Sequence, residues 1–278
     1  MEKAIVSAPG KIILAGEHAV VYGQPAIVAA IDKRITVKID SAKTSQKTSG
    51  LVKFAVAVCM KYLTRSRQDF NIAINSELPI GCGLGSSAAL ATALVWALLP
   101  HASLKEKNQL VKTIEDYQHG NSSGVDQTIV REGGFLRFQK GVFQPIKLLI
   151  KQVILINSGR PKESTGEMVK MVAKGNYQKE FKQIGEISNH WDQKLIQENE
   201  RLLEKLGVVG EKAKKMIRQI ELIGGLAKVC GAGGVKAGSG MLLAVHPEES
   251  KLLQLIKQNN WQYLRVKLGG PGVRYEKN

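Results

Sequence analysis

The sequence has few aromatic residues and few cysteines. Aromatic residues make up 5% of its 278 residues, which is sparse for a protein that stacks on nucleotide bases. The three cysteines, Cys59, Cys82 and Cys230, are far apart and form no Cys-x-x-Cys pair. This spacing argues against a disulfide framework or a zinc site. It favours a reducing environment, so we expect a cytoplasmic protein.

Long hydrophobic runs are also missing. No stretch of about 18 apolar residues occurs, so we expect no membrane-spanning helix and no membrane partner. The first residues show no signal-peptide pattern. The apolar content of 44% is ordinary for a globular protein, and the length allows a substantial core. We expect two units, residues 1–150 and 151–278, because the pattern of strands and helices restarts near residue 151.

Acidic residues are scarce relative to basic ones. Lysine and arginine number 40 against 24 aspartates and glutamates, which gives a formal net charge of +16. Such an excess is typical of nucleic-acid-binding proteins. Here, however, the basic residues are spread along the chain and concentrate on helical stretches such as 205–218, where they would form a solvated face. We therefore expect no nucleic-acid partner, and a positive field that attracts small polyanions such as ATP and a carboxylate substrate.

What the sequence does have is a glycine-rich segment at residues 79–89, Pro-Ile-Gly-Cys-Gly-Leu-Gly-Ser-Ser-Ala-Ala, followed by an apolar helical run. Its glycines let successive backbone N–H groups converge, and a helix start adds unpaired donors and the positive end of the helix dipole. The segment therefore predicts a phosphate site. The plainer alternative is a tight strand-to-helix turn. The spacing excludes a P-loop, since no lysine follows Gly85, and it excludes a dinucleotide-binding fingerprint.

Four polar residues could supply the other parts of a phosphoryl-transfer site. Ser87 and Glu115 offer oxygen atoms for Mg²⁺. Asp126 follows a turn of small residues near a helix start and could meet a bound hydroxyl, while Lys11 follows a Pro-Gly pair at the start of a strand. Three of the four also have a plainer interpretation. Glu115 would be a surface carboxylate, Asp126 would complement the helix dipole, and Lys11 would be a solvated edge lysine.

The remaining pattern indicates an α+β protein, because strands and helices intermix without regular alternation. We expect residues 8–10 to form a turn between two short strands and residues 41–50 to form a polar loop. A long helix is expected at residues 177–203. A second glycine-rich segment occupies residues 229–240, where Gly-Ala-Gly-Gly at 231–234 is followed by Val-Lys-Ala-Gly-Ser at 235–239.

Three segments together resemble the GHMP kinase superfamily, most closely the mevalonate kinases. They are residues 8–23, Ala-Pro-Gly-Lys-Ile-Ile-Leu-Ala-Gly-Glu-His-Ala-Val-Val-Tyr-Gly, the loop 79–89, and residues 119–127, His-Gly-Asn-Ser-Ser-Gly-Val-Asp-Gln. They occur in the order found in the family. The resemblance implies a two-lobed α+β fold, with a left-handed βαβ crossover in an ATP-binding N-terminal lobe, residues 1–150. It implies a ferredoxin-like C-terminal lobe, residues 151–278.

The resemblance also implies roles for individual residues. Asp126 would be the catalytic aspartate for the acceptor hydroxyl, with Lys11 beside it favouring the ionised carboxylate and stabilising the developing alkoxide. Ser87 and Glu115 would bind Mg²⁺. The ATP-binding residues would be Pro79, Gly81, Gly83, Leu84, Gly85, Ser86, Ser87 and Ala88, and the substrate-binding residues Glu17, His18 and Thr165.

The activity implied by the resemblance is ATP-dependent phosphorylation of mevalonate to 5-phosphomevalonate in isoprenoid biosynthesis. One alternative is another GHMP kinase, such as a phosphomevalonate or sugar kinase; another is a non-catalytic basic module that keeps the fold. Homoserine kinases typically lack the aspartate, and galactokinases lack the sequence around it. A departure from the family lies at residues 235–239, which either bring Lys236 near phosphate or form a longer turn. Family members are often dimers, so a homodimer is one alternative for the oligomeric state.

Overall fold

The computed structural model describes residues 3–40, 49–63, 71–79, 81–120 and 123–277. Two antiparallel sheets with helices packed against them make up this part of the chain, which confirms the α+β class. Residues 41–48 of the loop expected at 41–50 lie outside the described residues. Among the described helices, none has both the length and the apolar character needed to cross a membrane.

The strands are Ala4–Ala15 (β1), Ala26–Asp40 (β2), Asn71–Ser76 (β3), Phe135–Gln139 (β4), Val142–Pro145 (β5), Gln152–Asn157 (β6), Leu226–Val229 (β7), Met241–Val245 (β8), Tyr263–Lys267 (β9) and Arg274–Tyr275 (β10). The helices are Gly50–Tyr62 (α1), Ser86–Leu98 (α2), Leu104–His119 (α3), Val125–Glu132 (α4), Thr165–Val172 (α5), Gln178–Asn189 (α6), Ile196–Lys205 (α7), Glu211–Leu222 (α8) and Glu249–Gln258 (α9).

The first sheet has the order β10-β1-β2-β4-β5, and β3 also pairs with β2. The turn expected at residues 8–10 is wrong, because β1 runs through it as one strand. A register shift between Pro9 and Lys11 absorbs the Pro-Gly pair. Since β3 and β4 are both antiparallel to β2, they run parallel to one another, joined by α2, α3 and α4.

The second sheet has the order β7-β8-β6-β9. This is the strand order of a ferredoxin-like unit, with helices α5 to α8 between its first two strands and α9 before its last. Both of its faces are buried. Leu155 and Leu243 join the core of the first sheet, whereas Ile154 and Leu242 pack against the helices of the second half. Burial on both faces explains why β6 and β8 are continuous apolar runs.

The helix expected at residues 177–203 is wrong as a single element. It is divided into α6, a 3-10 turn at Gln193–Leu195, and α7. Asp192 caps the second piece by accepting a hydrogen bond from the Lys194 amide, at 2.8 Å. The break lets Trp191 donate its indole N–H to the Leu14 carbonyl of β1, at 3.3 Å. This contact joins the two halves, so tertiary structure overrides the local helical pattern.

Helix α2 places the glycine-rich loop. Ten of its thirteen residues are buried, as its alanine- and leucine-rich sequence requires, and it packs on β1, β2 and α3. Its N-terminal residues are only half-buried, and the Lys11 side chain lies between Gly85 and Asp126 at the start of α4. The division of the chain at residue 150 stays a prediction. The last strand, β10, returns to pair with β1.

Candidate active site

The loop before α2 leaves backbone donors open at a helix start. Gly81, Gly83 and Gly85 have φ values of 72°, 85° and 69°, in the left-handed region that glycine adopts without strain. Gly85 occupies the N-cap position of α2 and supplies no side-chain hydrogen bond. The first N–H groups of α2 are thus free of a side-chain cap, which is the arrangement that binds anions at helix N-termini.

Two of these glycines are also required by close packing. A Cβ at Gly83 would lie 2.6 Å from the Cys230 carbonyl oxygen, and one at Gly85 would lie 2.7 Å from Cγ of Lys11. The loop is therefore pressed against the second glycine-rich segment on one side and against the Lys11 side chain on the other. The Lys11 amide donates to the Leu84 carbonyl at 2.9 Å and fixes this approach.

Lys11 and Asp126 form an ion pair beside the loop. Lys11 Nζ lies 3.1 Å from Asp126 Oδ1. Lys11 is buried in β1, while Asp126, in the first turn of α4, is only partly buried. The side of β1 that carries Ile13 packs against Val125 and Ile129 of α4, so the packing of the helix on the strand brings the two charges together. The solvated-edge interpretation of Lys11 is therefore wrong.

Ser87, in the first turn of α2, faces Glu115 of α3. Ser87 Oγ donates a short hydrogen bond to Glu115 Oε1. Glu115 is buried in α3, so the surface interpretation of this carboxylate is wrong. Burial raises the pKa of Glu115 to about 7, the Ser87 hydrogen bond works against this shift, and the Asp126 charge adds to it.

These two oxygen atoms fit a magnesium ion that is shared with a phosphate ligand. Mg²⁺ usually takes one or two protein oxygens and completes its shell with phosphate oxygens and water. No cluster of three or more His, Cys, Asp or Glu side chains suited to a metal occurs in the described ranges. A site of only two protein ligands, a hydroxyl and a carboxylate, would not form such a cluster. A cation there would also offset the cost of ionising the buried Glu115.

Glu17 and His18 lie in the turn after β1, and both are buried. The Glu17 carboxylate is ion-paired with Lys228 of β7. His18 Nε2 hydrogen-bonds the Ala232 carbonyl at 3.0 Å, and burial lowers the pKa of the ring. The turn thus contacts the second glycine-rich segment, which itself contacts the loop before α2.

Thr165 is exposed at the first position of α5, after the N-cap residue Ser164. The loop leading to it approaches the glycine loop, because a Cβ at Gly81 would lie 2.9 Å from Nε of Arg160. At residues 235–239 both alternatives, a longer turn and Lys236 near phosphate, stay predictions. Ser239 Oγ donates to the Gly234 carbonyl at 2.7 Å, and Lys236 is exposed.

Sequence reasoning missed Lys228, Glu200 and Arg160. A lysine within the apolar stretch Leu-Ala-Lys-Val is a signal for Lys228, because a charge inside a buried strand requires a partner. That partner, Glu17, is more than two hundred residues away, so its identity could not be read locally. The structure brings together Lys11, Asp126, Ser87, Glu115 and the glycine loop. The role of Thr165, which is exposed at the start of α5, stays a prediction.

Comparison with known proteins points to the same class of protein as the fold and the site. Residues 50–134 match the model of the GHMP kinases N terminal domain. The fold and the site therefore define a GHMP kinase.

The full chain extends this assignment. It is 34% identical to the mevalonate kinase of Archaeoglobus fulgidus over 91% of this chain and 98% of that relative. It is 31% identical to the mevalonate kinase of Thermococcus onnurineus over 99% and 98%. The crystal structure of the Methanococcus jannaschii mevalonate kinase superposes with a TM-score of 0.83 and 25% identity, over 97% of this chain and 99% of that one. The chain belongs to the mevalonate kinase family.

Proposed function

We propose that this protein transfers the γ-phosphoryl group of ATP to the 5-hydroxyl of mevalonate, forming 5-phosphomevalonate. The observation that carries the proposal is the Lys11–Asp126 ion pair, with Nζ and Oδ1 3.1 Å apart beside the uncapped start of α2. A phosphate held at that helix start lies next to a carboxylate that can orient an attacking hydroxyl. Family membership supports both substrates.

The phosphate chain of ATP would lie on the loop before α2. The open N–H groups at Ser86, Ser87 and Ala88 point toward an anion at the helix start, and the helix dipole favours negative charge there. Leu84 holds the loop to β1 through its carbonyl. Pro79 and Gly81 precede it, and the Arg160 guanidinium next to Gly81 adds positive charge at the same edge.

Asp126 would accept a hydrogen bond from the acceptor hydroxyl and take its proton as the phosphoryl group transfers. Lys11 would stabilise the ionised carboxylate and the negative charge that develops on the acceptor oxygen. Most of the acceleration in this reaction class comes from holding the two reactants in line and from electrostatic stabilisation. The partial exposure of Asp126 leaves the acceptor a path to it.

Ser87 and Glu115 would hold Mg²⁺. The ion, when bound, neutralises charge on the phosphates. Because burial raises the pKa of Glu115 to about 7, a cation beside this carboxylate would favour its ionised form.

His18, Glu17 and Thr165 would line the acceptor side. His18 contacts the second glycine-rich segment through its hydrogen bond with the Ala232 carbonyl. The Glu17 side chain is closed off from solvent, so we assign its effect to the shape of the turn rather than to an open contact surface. A division into lobes at residue 150 would place this site between them.

A coupled assay of ADP release tests the proposal. The protein is given ATP and Mg²⁺ with mevalonate, phosphomevalonate, galactose or homoserine, one at a time. We expect turnover with mevalonate alone. Turnover with phosphomevalonate or galactose instead would move the chain to another GHMP activity. No ADP release with any acceptor would favour a non-catalytic binding protein.

A further inference from the structure

A second lysine–carboxylate pair lies between the two sheets. Lys228 is fully buried in β7, and its ammonium contacts the Glu17 carboxylate. It also donates to the Ile13 carbonyl at 3.2 Å. Both acceptors belong to β1 or to the turn that follows it. One cation from the second sheet therefore holds the strand that carries Lys11.

Helix α7 closes this cluster from the other side. Asn199 Nδ2 donates to the second Glu17 oxygen at 3.4 Å, and Glu200 Oε2 accepts the Val229 amide at 2.9 Å. Burial raises the pKa of Glu200 to about 8. Burial thus favours the protonated form of Glu200, and Glu17 is the carboxylate that contacts the Lys228 ammonium.

The turn held by this cluster is strained. His18 has φ 57° and ψ −46°, a conformation that residues other than glycine rarely adopt. Such a conformation persists only where the surroundings enforce it. Glu17 is anchored by Lys228, and the next residue, His18, is anchored by Ala232. The two anchors both come from the second half of the chain.

We infer that Lys228 is a positioning residue for the acceptor side of the active site, holding Glu17 so that the His18 turn keeps its strained shape against Ala232. The inference rests on the proposed function, because it places His18 beside the acceptor. Lys228 itself touches no substrate. Its loss would allow the turn to relax while the glycine loop, fixed by Lys11 and Cys230, stays in place.

If the ion pair between Lys228 and Glu17 had only a structural role, a different result would be expected. Loss of the pair would lower the amount of folded enzyme and leave both Michaelis constants unchanged in the molecules that fold. A positioning residue changes the KM for the acceptor while the KM for ATP stays close to that of the unaltered protein. The two roles therefore separate in steady-state kinetics.

The experiment compares Lys228→Met, Glu17→Gln and the double variant. The double variant removes both buried charges and keeps side-chain size, so it folds even where Lys228→Met leaves an unpaired carboxyl. We expect each to raise the acceptor KM by about tenfold, with the ATP KM changed by less than about twofold. Because all three break one contact, the double variant is expected to be no worse than the worse single variant.

Lys107→Met is the matched control. Lys107 is also a buried lysine, and it donates to the Pro100 carbonyl at 2.9 Å, far along the chain from the turn. We expect it to leave both KM values unchanged. Equal KM changes in Lys107→Met and Lys228→Met would overturn the inference, because any buried lysine would then have the same effect.

Amide hydrogen exchange gives a readout without substrate. The Ala19 and Val20 amides donate within the turn, to the carbonyls of Glu17 and Gly16. We expect them to exchange at least about tenfold faster in the double variant than in Lys107→Met. Unchanged exchange would overturn the inference, as would faster exchange with an unaltered acceptor KM.

The proposed function is judged separately, on the unaltered protein. Should that protein use another acceptor of the panel, the same KM comparison is made with that acceptor. Should it use none, the proposed function fails and the catalytic half of the inference fails with it. The exchange comparison would still decide whether Lys228 orders the turn.

Discussion

Two lysine–carboxylate pairs involve strand β1 and the turn that follows it, and the pairs differ in their access to solvent. Lys11 of the first pair lies in β1, and Glu17 of the second pair lies in the turn. In the Lys11–Asp126 pair the lysine side chain is 5% exposed and the aspartate 37% exposed. In the Glu17–Lys228 pair both side chains are 0% exposed. An open carboxylate can exchange its partner for a substrate hydroxyl, whereas a sealed pair can only hold structure. Access to solvent, rather than the identity of the charges, separates the pair that we propose to react from the pair that we propose to support it.

The largest effect on stability is expected at the sealed pair. Lys228→Met leaves the Glu17 carboxyl buried without its partner, which costs about 3–5 kcal/mol of unfolding free energy. Lys11→Met is expected to cost clearly less, because Asp126 can turn toward water. Urea unfolding of both variants measures the difference. Equal losses would remove the distinction between the two pairs.

The largest effect on turnover is expected at the open pair. Asp126→Asn keeps the side-chain size but removes the proton acceptor, so kcat should fall at least about a hundredfold. The unfolding midpoint should fall by less than in Lys228→Met, because the amide oxygen of the new asparagine still accepts a hydrogen bond from the buried Lys11 ammonium. Glu132→Gln, at the other end of α4, is the control, and it should keep full activity. Full turnover in Asp126→Asn would refute the role assigned to this residue.

Lys11→Met is expected to reduce kcat by about ten- to a hundredfold, because the charge that develops on the acceptor oxygen loses its nearest cation. The KM for ATP should stay within about threefold, since the backbone of the loop carries the phosphates. Steady-state kinetics with each substrate varied in turn measure both constants. A change confined to the ATP KM would move Lys11 from the acceptor to the nucleotide.

The buried carboxyl of Glu200, beside the Glu17–Lys228 pair, also predicts a pH dependence of stability. Burial raises the pKa of Glu200 to about 8, from its usual 4.5. Between these values the folded protein keeps a proton that the unfolded chain has lost, so Glu200 makes stability fall as the pH rises from about 4.5 to 8. In Glu200→Gln, the loss of unfolding free energy between pH 5 and pH 8 should be smaller than in the unaltered protein by about 1 kcal/mol or more. Urea unfolding at the two pH values measures it. The exposed Glu211→Gln is the control; an unchanged slope in Glu200→Gln would contradict the assignment.

Ser87→Ala is expected to have the smallest effect. It removes one proposed oxygen ligand while Glu115 and the phosphates remain, so the Mg²⁺ concentration for half-maximal activity should rise several-fold, or about 1 kcal/mol. Titration of activity with Mg²⁺ at saturating ATP measures it. An unchanged metal requirement would count against Ser87 as a ligand.

The comparison also explains how far sequence reasoning reached. Glycines, a Ser-Ser pair and an uncapped apolar helix are local signals, and the three motifs that contain Lys11, the glycine loop and Asp126 could be recognised from them. The predictions of a turn at residues 8–10 and of a single helix at 177–203 were wrong, because contacts with distant parts of the chain decide the structure there. Pairing along β2 and the contact between Trp191 and Leu14 override what those residues favour locally. The strands β5 and β10, of four and two residues, are too short to show an alternating pattern.

By itself the sequence determined which chemical groups are available: a glycine-rich turn at a helix start, a hydroxyl and a carboxylate that could hold a metal, and an aspartate with a lysine. Only the tertiary structure decided which charges meet and which of them solvent can reach. A helix packed on β1 brings Asp126 to Lys11, and β7 brings Lys228 to Glu17 across 211 positions of the chain. The reason is physical, since the strength of a charge pair depends on burial and distance, and neither is a property of one segment alone.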